Sequence, residues 1–388
     1  MTRMAVALLR GTRRPSAEPR DPTGESAPRR HLFDEMFLPR YDESLLDLAP
    51  ARLRALYHPL PSWLQLALEV HRRRNEYDVI VTWGERLSLA LMAVQRLARG
   101  GKPHVPMMYW FSKPNVRLPM RAFGRSLHAI VTWSSVQRLY AIRQLGVPAE
   151  KLYLVKHYVD QLFWSPRQRQ AEIICSAGKE MRDYGTLLEA LRGTDLRCHI
   201  ATDHVRVKGS ALGHRWVGAS EFASEASGNV TVGSMTPREL RELYARSLFV
   251  VVPLLPSDTD NGVSVILEAM AMGKAVICSR TQGQVDVIQE GFTGLYVPGG
   301  DPAALRAAMG ALWNDPARAR AMGLRARAYV EEHHTLDKFC RDVGRAVEAS
   351  LEGPGARAGG ATLPGPASLA PKRPIAIPKD GSPFSGEG

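Results

Sequence analysis

The chain has 388 residues, 45% hydrophobic and 23% charged, which is ample for two domain cores and excludes a wholly disordered or low-complexity protein. The longest early apolar run, Met4–Leu9, is too short for a signal peptide or a membrane span, so a cytoplasmic protein is expected. The net charge of +12 is uneven: residues 1–160 hold 25 Lys/Arg against 14 Asp/Glu, and residues 161–388 hold 26 against 25. The first half should therefore meet something anionic, whether a membrane surface, a charged acceptor or nucleic acid.

In chain order, Met4–Leu9 reads as a first strand and Arg10–Arg30, rich in Arg, Pro and Ser, as a loop. Trp63–His71 is helical, Asp78–Thr82 a strand, Glu85–Arg99 a helix and His104–Trp110 a strand. His128–Thr132, Val136–Leu145 and Leu152–Val155 continue as strand, helix, strand. The second half repeats the scheme with strands at Glu172–Cys175, Arg197–Ala201, Leu248–Val252, Ala275–Cys278 and Gly294–Val297. Helices are expected at Gly185–Leu191, Pro237–Arg246, Val263–Met272, Pro302–Leu312, Pro316–Glu332 and Leu336–Leu351. Two such runs predict an α/β protein of two doubly wound, Rossmann-like domains, 1–160 and 161–335, with a linker near Asp160–Ala171. Residues 352–388 are Pro/Gly-rich, and a disordered tail is expected there.

The segment with most chemistry is 247–273, SLFVVVPLLPSDTDNGVSVILEAMAMG. An apolar strand is broken by Pro253 and Pro256, an acidic turn follows, and a helical pattern carries one carboxylate, Glu268, before stopping at Gly273. Ligands of parallel α/β layers sit at the carboxyl ends of strands, where this turn falls. Asp260 and Glu268 are eight residues apart, on the loop and about one and a half turns into the helix, so they can address separate parts of one ligand. Backbone N–H groups of Asn261, Gly262, Val263 and Ser264 stand at a helix N-terminus, which suits an anion.

These residues resemble the donor domain of retaining GT-B glycosyltransferases of family 4 (group 1). The resemblance runs from about Glu172 to His333 and rests on Leu267-Glu268-Ala269-Met270-Ala271-Met272-Gly273, on Gly283–Pro298, and on Met322-Gly323 with the helix after it. It implies a GT-B fold with two domains facing a cleft, and transfer of a UDP- or GDP-linked sugar to an acceptor with retention. It also implies that Glu268 holds the ribose hydroxyls and Asp260 the transferred sugar; carboxylates accept such bonds in pairs. Asp260 is one methylene shorter than the family's usual Glu, and Asn261-Gly262-Val263 replaces its Gly-Phe-Gly. Lys179 and Arg182 match cations that clamp the diphosphate. The last helices are expected to cross back to the first domain, with the closing helix near 336–351 against it.

Other features are weighed beside these. Asp258-Thr259-Asp260 has the form of a metal-binding Asp-x-Asp, but the resemblance assigns Asp260 elsewhere and no metal is expected. The four cysteines, Cys175, Cys198, Cys278 and Cys340, form no C-x-x-C pair and read as buried small side chains. His157–Phe163 resembles the family's inter-domain motif. No catalytic histidine can be carried over in the first half; Tyr109–Lys113 occupies its position, and His104 reads as structural. Arg117, Arg121 and Arg125 recur every four residues and form a candidate stripe for an anionic membrane, although Pro119 and Gly124 weaken a helix there. Arg72-Arg73-Arg74 reads as a helix C-terminus complementing the dipole. No basic-aromatic nucleic-acid motif is present. The alternatives are a UDP-sugar epimerase of the same architecture and a non-catalytic protein that binds sugar nucleotides or nucleic acid.

Overall fold

The structure is a computed structural model that describes residues 2–7, 27–29, 38–41, 46, 49–167, 169–208, 214–224 and 228–352. The expected tail beyond 352 and nearly all of the loop expected at 10–30 lie outside the described residues.

The first half is built on six parallel strands: β1 (Arg3–Ala7), β2 (Leu38–Tyr41), β3 (Val79–Trp83), β4 (His104–Met107), β5 (Ile130–Thr132) and β6 (Leu152–Leu154), in the order β2-β1-β3-β4-β5-β6. The second half has β7 (Ile173–Ala177), β8 (Cys198–Ala201), an antiparallel hairpin of β9 (His204–Lys208) and β10 (His214–Gly218), then β11 (Val230–Gly233), β12 (Ser247–Val252), β13 (Ala275–Arg280) and β14 (Gly294–Pro298). Its parallel sheet runs β11-β8-β7-β12-β13-β14. β12 shows why these strands read as unbroken apolar runs. All six of its residues are buried; Val250 and Val252 enter one core cluster and Phe249 and Val251 the cluster on the opposite face. Side chains alternate across a strand, so a sheet covered on both sides needs apolar residues at every position.

Helices flank both sheets: α1 (Ala51–Tyr57), α2 (Ser62–Arg72), α3 (Glu85–Leu97), α4 (Pro114–Phe123) and α5 (Ser135–Leu145) in the first half, then α6 (Tyr184–Leu191), α7 (Ala219–Ser224), α8 (Pro237–Arg246), α9 (Val263–Ala271), α10 (Pro302–Trp313) and α11 (Pro316–His333). The last, α12 (Leu336–Leu351), returns to the first sheet. Its Leu336, Phe339, Cys340, Val343, Ala346 and Val347 recur at helical spacing and join a core with Met4, Val79, Val105 and Val131. The chain therefore crosses between the halves twice. The crossings lie side by side: Val159 N–H donates to the His334 carbonyl and Leu336 N–H to that of Val159.

Two local readings change. The arginines at the end of α2 serve a buried carboxylate rather than the helix dipole alone. Arg72 and Arg73 reach Glu69 at 2.5 and 2.8 Å; burial pushes that carboxyl up, and the two guanidiniums outweigh it and hold it below its ordinary range. α4 runs through Pro119 and ends before Gly124, so Arg125 lies in the short turn that follows. All four cysteines are free and buried, as their spacing predicts.

Candidate active site

The acid loop leaves the carboxyl end of β12 and enters α9 through Gly262, whose φ of +85° favours a residue without Cβ. A Cβ there would also crowd Val252 and Leu254 and stand 3.6 Å from an Nη of Arg182. The loop braces itself: Asn261 Nδ2 donates to Ser257 Oγ at 2.8 Å, and Thr259 N–H to the same oxygen at 3.2 Å. Gln284 spans it from behind, its Nε2 donating to the carbonyls of Asp260 (3.3 Å) and Asn261 (3.0 Å). Gly283 admits the chain here; any Cβ would fall onto the backbone of Thr259.

Asp260 is 5% exposed. Burial pushes its carboxyl from 3.8 to about 7, against an opposing hydrogen bond from Thr259. Its environment holds the acid near the point of half-ionisation at neutral pH. Glu268 is half-buried, not enclosed as its apolar helix implies. The Tyr244 hydroxyl donates to its Oε2 at 3.1 Å and fixes that side chain.

Of the residues singled out in the sequence, Asp260, Asn261, Gly262, Val263, Ser264 and Glu268 form one contiguous site. Val263 contributes backbone only: its side chain lies in the core and its N–H is taken by the Asp260 carbonyl at 3.2 Å. Ser264 is exposed in the first turn of α9. Arg182 is brought to the same place, bridged to Leu254, with its guanidinium anchored on the carbonyls of Ala177 (2.9 Å) and Glu180 (2.7 Å). Lys179 stands apart. It pairs with Asp203 at 3.4 Å, the two side chains 52% and 47% exposed.

The opposite wall comes from the first half, at the carboxyl ends of its own strands. Glu85, buried at the start of α3, accepts from the N–H groups of Tyr109 (3.2 Å) and Trp110 (3.0 Å). Lys113 lies 3.7 Å from that carboxylate and 4.3 Å over the Trp110 ring. Tyr109 stacks on Trp133 at 5.3 Å. His104 is structural: its Nε2 meets the Thr82 hydroxyl at 2.7 Å, and burial drives its pKa down to about 3. The two walls touch. Asp286 accepts from Ser135, Gln137 donates to the Asp258 carbonyl, and Thr259 faces the Tyr109 carbonyl. None of these contacts was legible from spacing, although Asp286 lies within the motif that carried the resemblance.

The arginine stripe is folded partly onto its neighbours. Arg117, Arg121 and Arg125 donate through Nε to the carbonyls of Ser112, Gln144 and Gly146, while Leu118 between them is 76% exposed. Among the described residues no group of three or more His, Cys, Asp or Glu could hold a metal ion, and no helix is long and apolar enough to cross a membrane.

Two doubly wound parallel sheets, meeting at their strand ends around a loop-and-helix acid pair, define the GT-B fold. The second half of the chain carries a glycosyltransferase domain: residues 185–315 match the family described as glycosyl transferases group 1. A D-inositol 3-phosphate glycosyltransferase of Nocardia farcinica is 34% identical over 32% of this chain and 27% of its own length. A GDP-mannose-dependent alpha-(1-6)-phosphatidylinositol monomannoside mannosyltransferase of Mycolicibacterium smegmatis is 40% identical over 21% of this chain and 20% of its own. The chain thus spans about a quarter of these curated relatives where it matches them. Anabaena HepE, solved with UDP, superposes with a TM-score of 0.62 at 14% identity, covering 90% of this chain and all of that one. Sucrose-phosphate synthase of Thermosynechococcus elongatus gives 0.59 at 18%, with 79% of each chain covered. At these identities the structural likeness is one of fold.

Proposed function

We propose that this chain transfers a glycosyl group from a UDP- or GDP-linked sugar to an anionic acceptor, with retention at the anomeric carbon. The observation that carries this reading is the placement of Asp260 and Glu268 on one loop-helix unit, at the carboxyl end of β12 and facing the strand ends of the first sheet. Glu268, steadied by Tyr244, would take the ribose hydroxyls. Asp260, held near half-ionisation, would take a hydroxyl of the transferred sugar and could accept from it or donate to it.

The departing nucleoside diphosphate needs fixed positive charge, and fixed charge requires no rearrangement during reaction. Arg182 supplies it beside Gly262. Lys179 joins by leaving Asp203, at little cost: so exposed an ion pair is worth at most about 1 kcal/mol. The acceptor would lie against Tyr109, Trp110 and Lys113. The excess positive charge of residues 1–160 favours an acceptor carrying phosphate or a lipid headgroup, and the two curated relatives named above have phosphorylated inositols in their names. Arg121 and Arg125, with Leu118, would rest on an anionic membrane.

The test is release of nucleoside diphosphate from a panel of UDP- and GDP-sugars by wild type and Glu268→Ala. Equal release by both, or release from no donor, sinks the assignment. The anomeric coupling constant of the product reads retention directly. Flotation with anionic vesicles at low salt tests the membrane surface, and absence of binding there removes it.

A further inference from the structure

Gln137, in the first turn of α5, is fully buried and used at both ends of its amide. Its Oε1 accepts from Ser112 N–H at 3.1 Å, in the segment after β4, and its Nε2 donates to the Asp258 carbonyl at 2.7 Å, in the acid loop of the other half. Gln284 holds two further carbonyls of the same loop, those of Asp260 and Asn261. The acid loop is therefore suspended between two glutamine amides, one from each half. Beside it, Asp286 sits at the N-terminus of α5, where its carboxylate accepts from Ser135 N–H at 2.8 Å and Ser135 Oγ at 2.5 Å. Burial raises the pKa of this carboxyl, and the two hydrogen bonds from Ser135 at the helix N-terminus oppose that rise.

We infer that the first turn of α5 is a clasp that sets the acid loop: Gln137 is a positioning residue that places Asp260 through the Asp258 carbonyl, and the Asp286–Ser135 pair holds the two halves in that arrangement. A primary amide is required at 137 because one group must donate and accept at once. A carboxylate could not donate to Asp258, and an apolar side chain would leave the Ser112 N–H and the Asp258 carbonyl buried without their partner. Gln137 acts on the loop through its backbone, at the Asp258 carbonyl. The kinetic part of this inference rests on the glycosyl-transfer reading; the structural part does not.

The experiment has two arms on the full chain, with Gln137→Leu, Asp286→Asn and Ser135→Ala. Without ligand, amide hydrogen exchange is followed over residues 257–263. Each variant is expected to raise exchange there about tenfold and leave β7 and β8 unchanged. With the sugar nucleotide that wild type turns over best, Gln137→Leu is expected to lower kcat ten- to a hundredfold with donor KM changed less than threefold. Loop exchange equal to wild type in Gln137→Leu and Asp286→Asn overturns the clasp, as does an unchanged kcat. If Gln137→Leu does not fold, the two milder variants decide by the same exchange. If wild type turns over no donor, the transfer reading fails and the exchange arm still judges the clasp.

Discussion

The Thr259 hydroxyl stands 3.2 Å from Asp260 Oδ1 and 3.3 Å from the Tyr109 carbonyl. It carries one proton and faces two acceptors. When Asp260 is ionised, that proton serves the carboxylate. When Asp260 is protonated, the acid can donate to Thr259 and leave the hydroxyl free for Tyr109. Ionisation of the acid and contact between the halves thus share one hydrogen atom.

Asp260 should make the protein less stable as pH rises. Its folded pKa is raised from 3.8 to about 7 by burial, so the folded state binds the proton more tightly than the unfolded chain. The penalty is absent below about pH 4, grows between there and 7, and is complete above, reaching about 4 kcal/mol at most at 1.36 kcal/mol per pKa unit. Asp260→Asn should therefore match wild type more closely at pH 4 than at pH 8, where it should be the more stable. Urea denaturation at the two values checks this; a stability difference independent of pH refutes it.

His334 should act in the opposite sense. It is 2% exposed, its Nδ1–H donates to the His157 carbonyl at 2.7 Å, and burial drives its pKa from 6.5 to about 3. A folded pKa below the unfolded one gives stability that is present above 6.5 and lost on acidification, roughly 2 kcal/mol by pH 5. His334→Asn keeps a donor for that carbonyl and should flatten the acid limb of the same titration.

Tyr244→Phe removes the hydroxyl that donates to Glu268 Oε2 at 3.1 Å without touching the acid itself. Donor KM should rise about fivefold with a smaller change in kcat, because the loss is one of orientation in binding. Glu268→Ala should cost at least a hundredfold in kcat/KM. Equal kinetics in wild type and Tyr244→Phe would remove Tyr244 from the site.

Gly283→Ala should be costly, since its Cβ falls onto the Thr259 backbone and backbone cannot step aside as a side chain can. A loss of roughly 2 kcal/mol or more and at least tenfold weaker sugar-nucleotide binding are expected. Gly310→Ala is the control. It lies within α10 with nothing within 4 Å of the added methyl, so the helix should gain roughly 0.5–1 kcal/mol. Thermal melts and calorimetry separate the two.

The acid pair was legible because strand, loop and helix are contiguous, so Asp260 and Glu268 stand together in the sequence as they do in space. The clasp was not, because Gln137–Asp258 and Ser135–Asp286 are separated by 121 and 151 residues. Pro119 read as a breaker, yet α4 runs through it. The edge strand β11, only Val-Thr-Val-Gly, was too short to rise above its polar surroundings, and β9 and β10, each five residues with charged side chains or histidine among them, lack a continuous apolar run. Lys179 rested on the resemblance alone, and its charge is engaged by Asp203, a residue no motif includes.

The return of α12 to the first sheet has a consequence for how the chain is made. A ribosome delivers residues 1–160 first, but the helix that covers one face of their sheet arrives only after residue 336 has been added. Until then Met4, Val79, Val105 and Val131 lack the cover that α12 gives them, while the second sheet already has its whole complement of strands and helices. The half synthesised second is thus able to complete its core first, and the half synthesised first depends on its far end, the pattern of late long-range closure that slows folding and leaves apolar surface open to wrong partners.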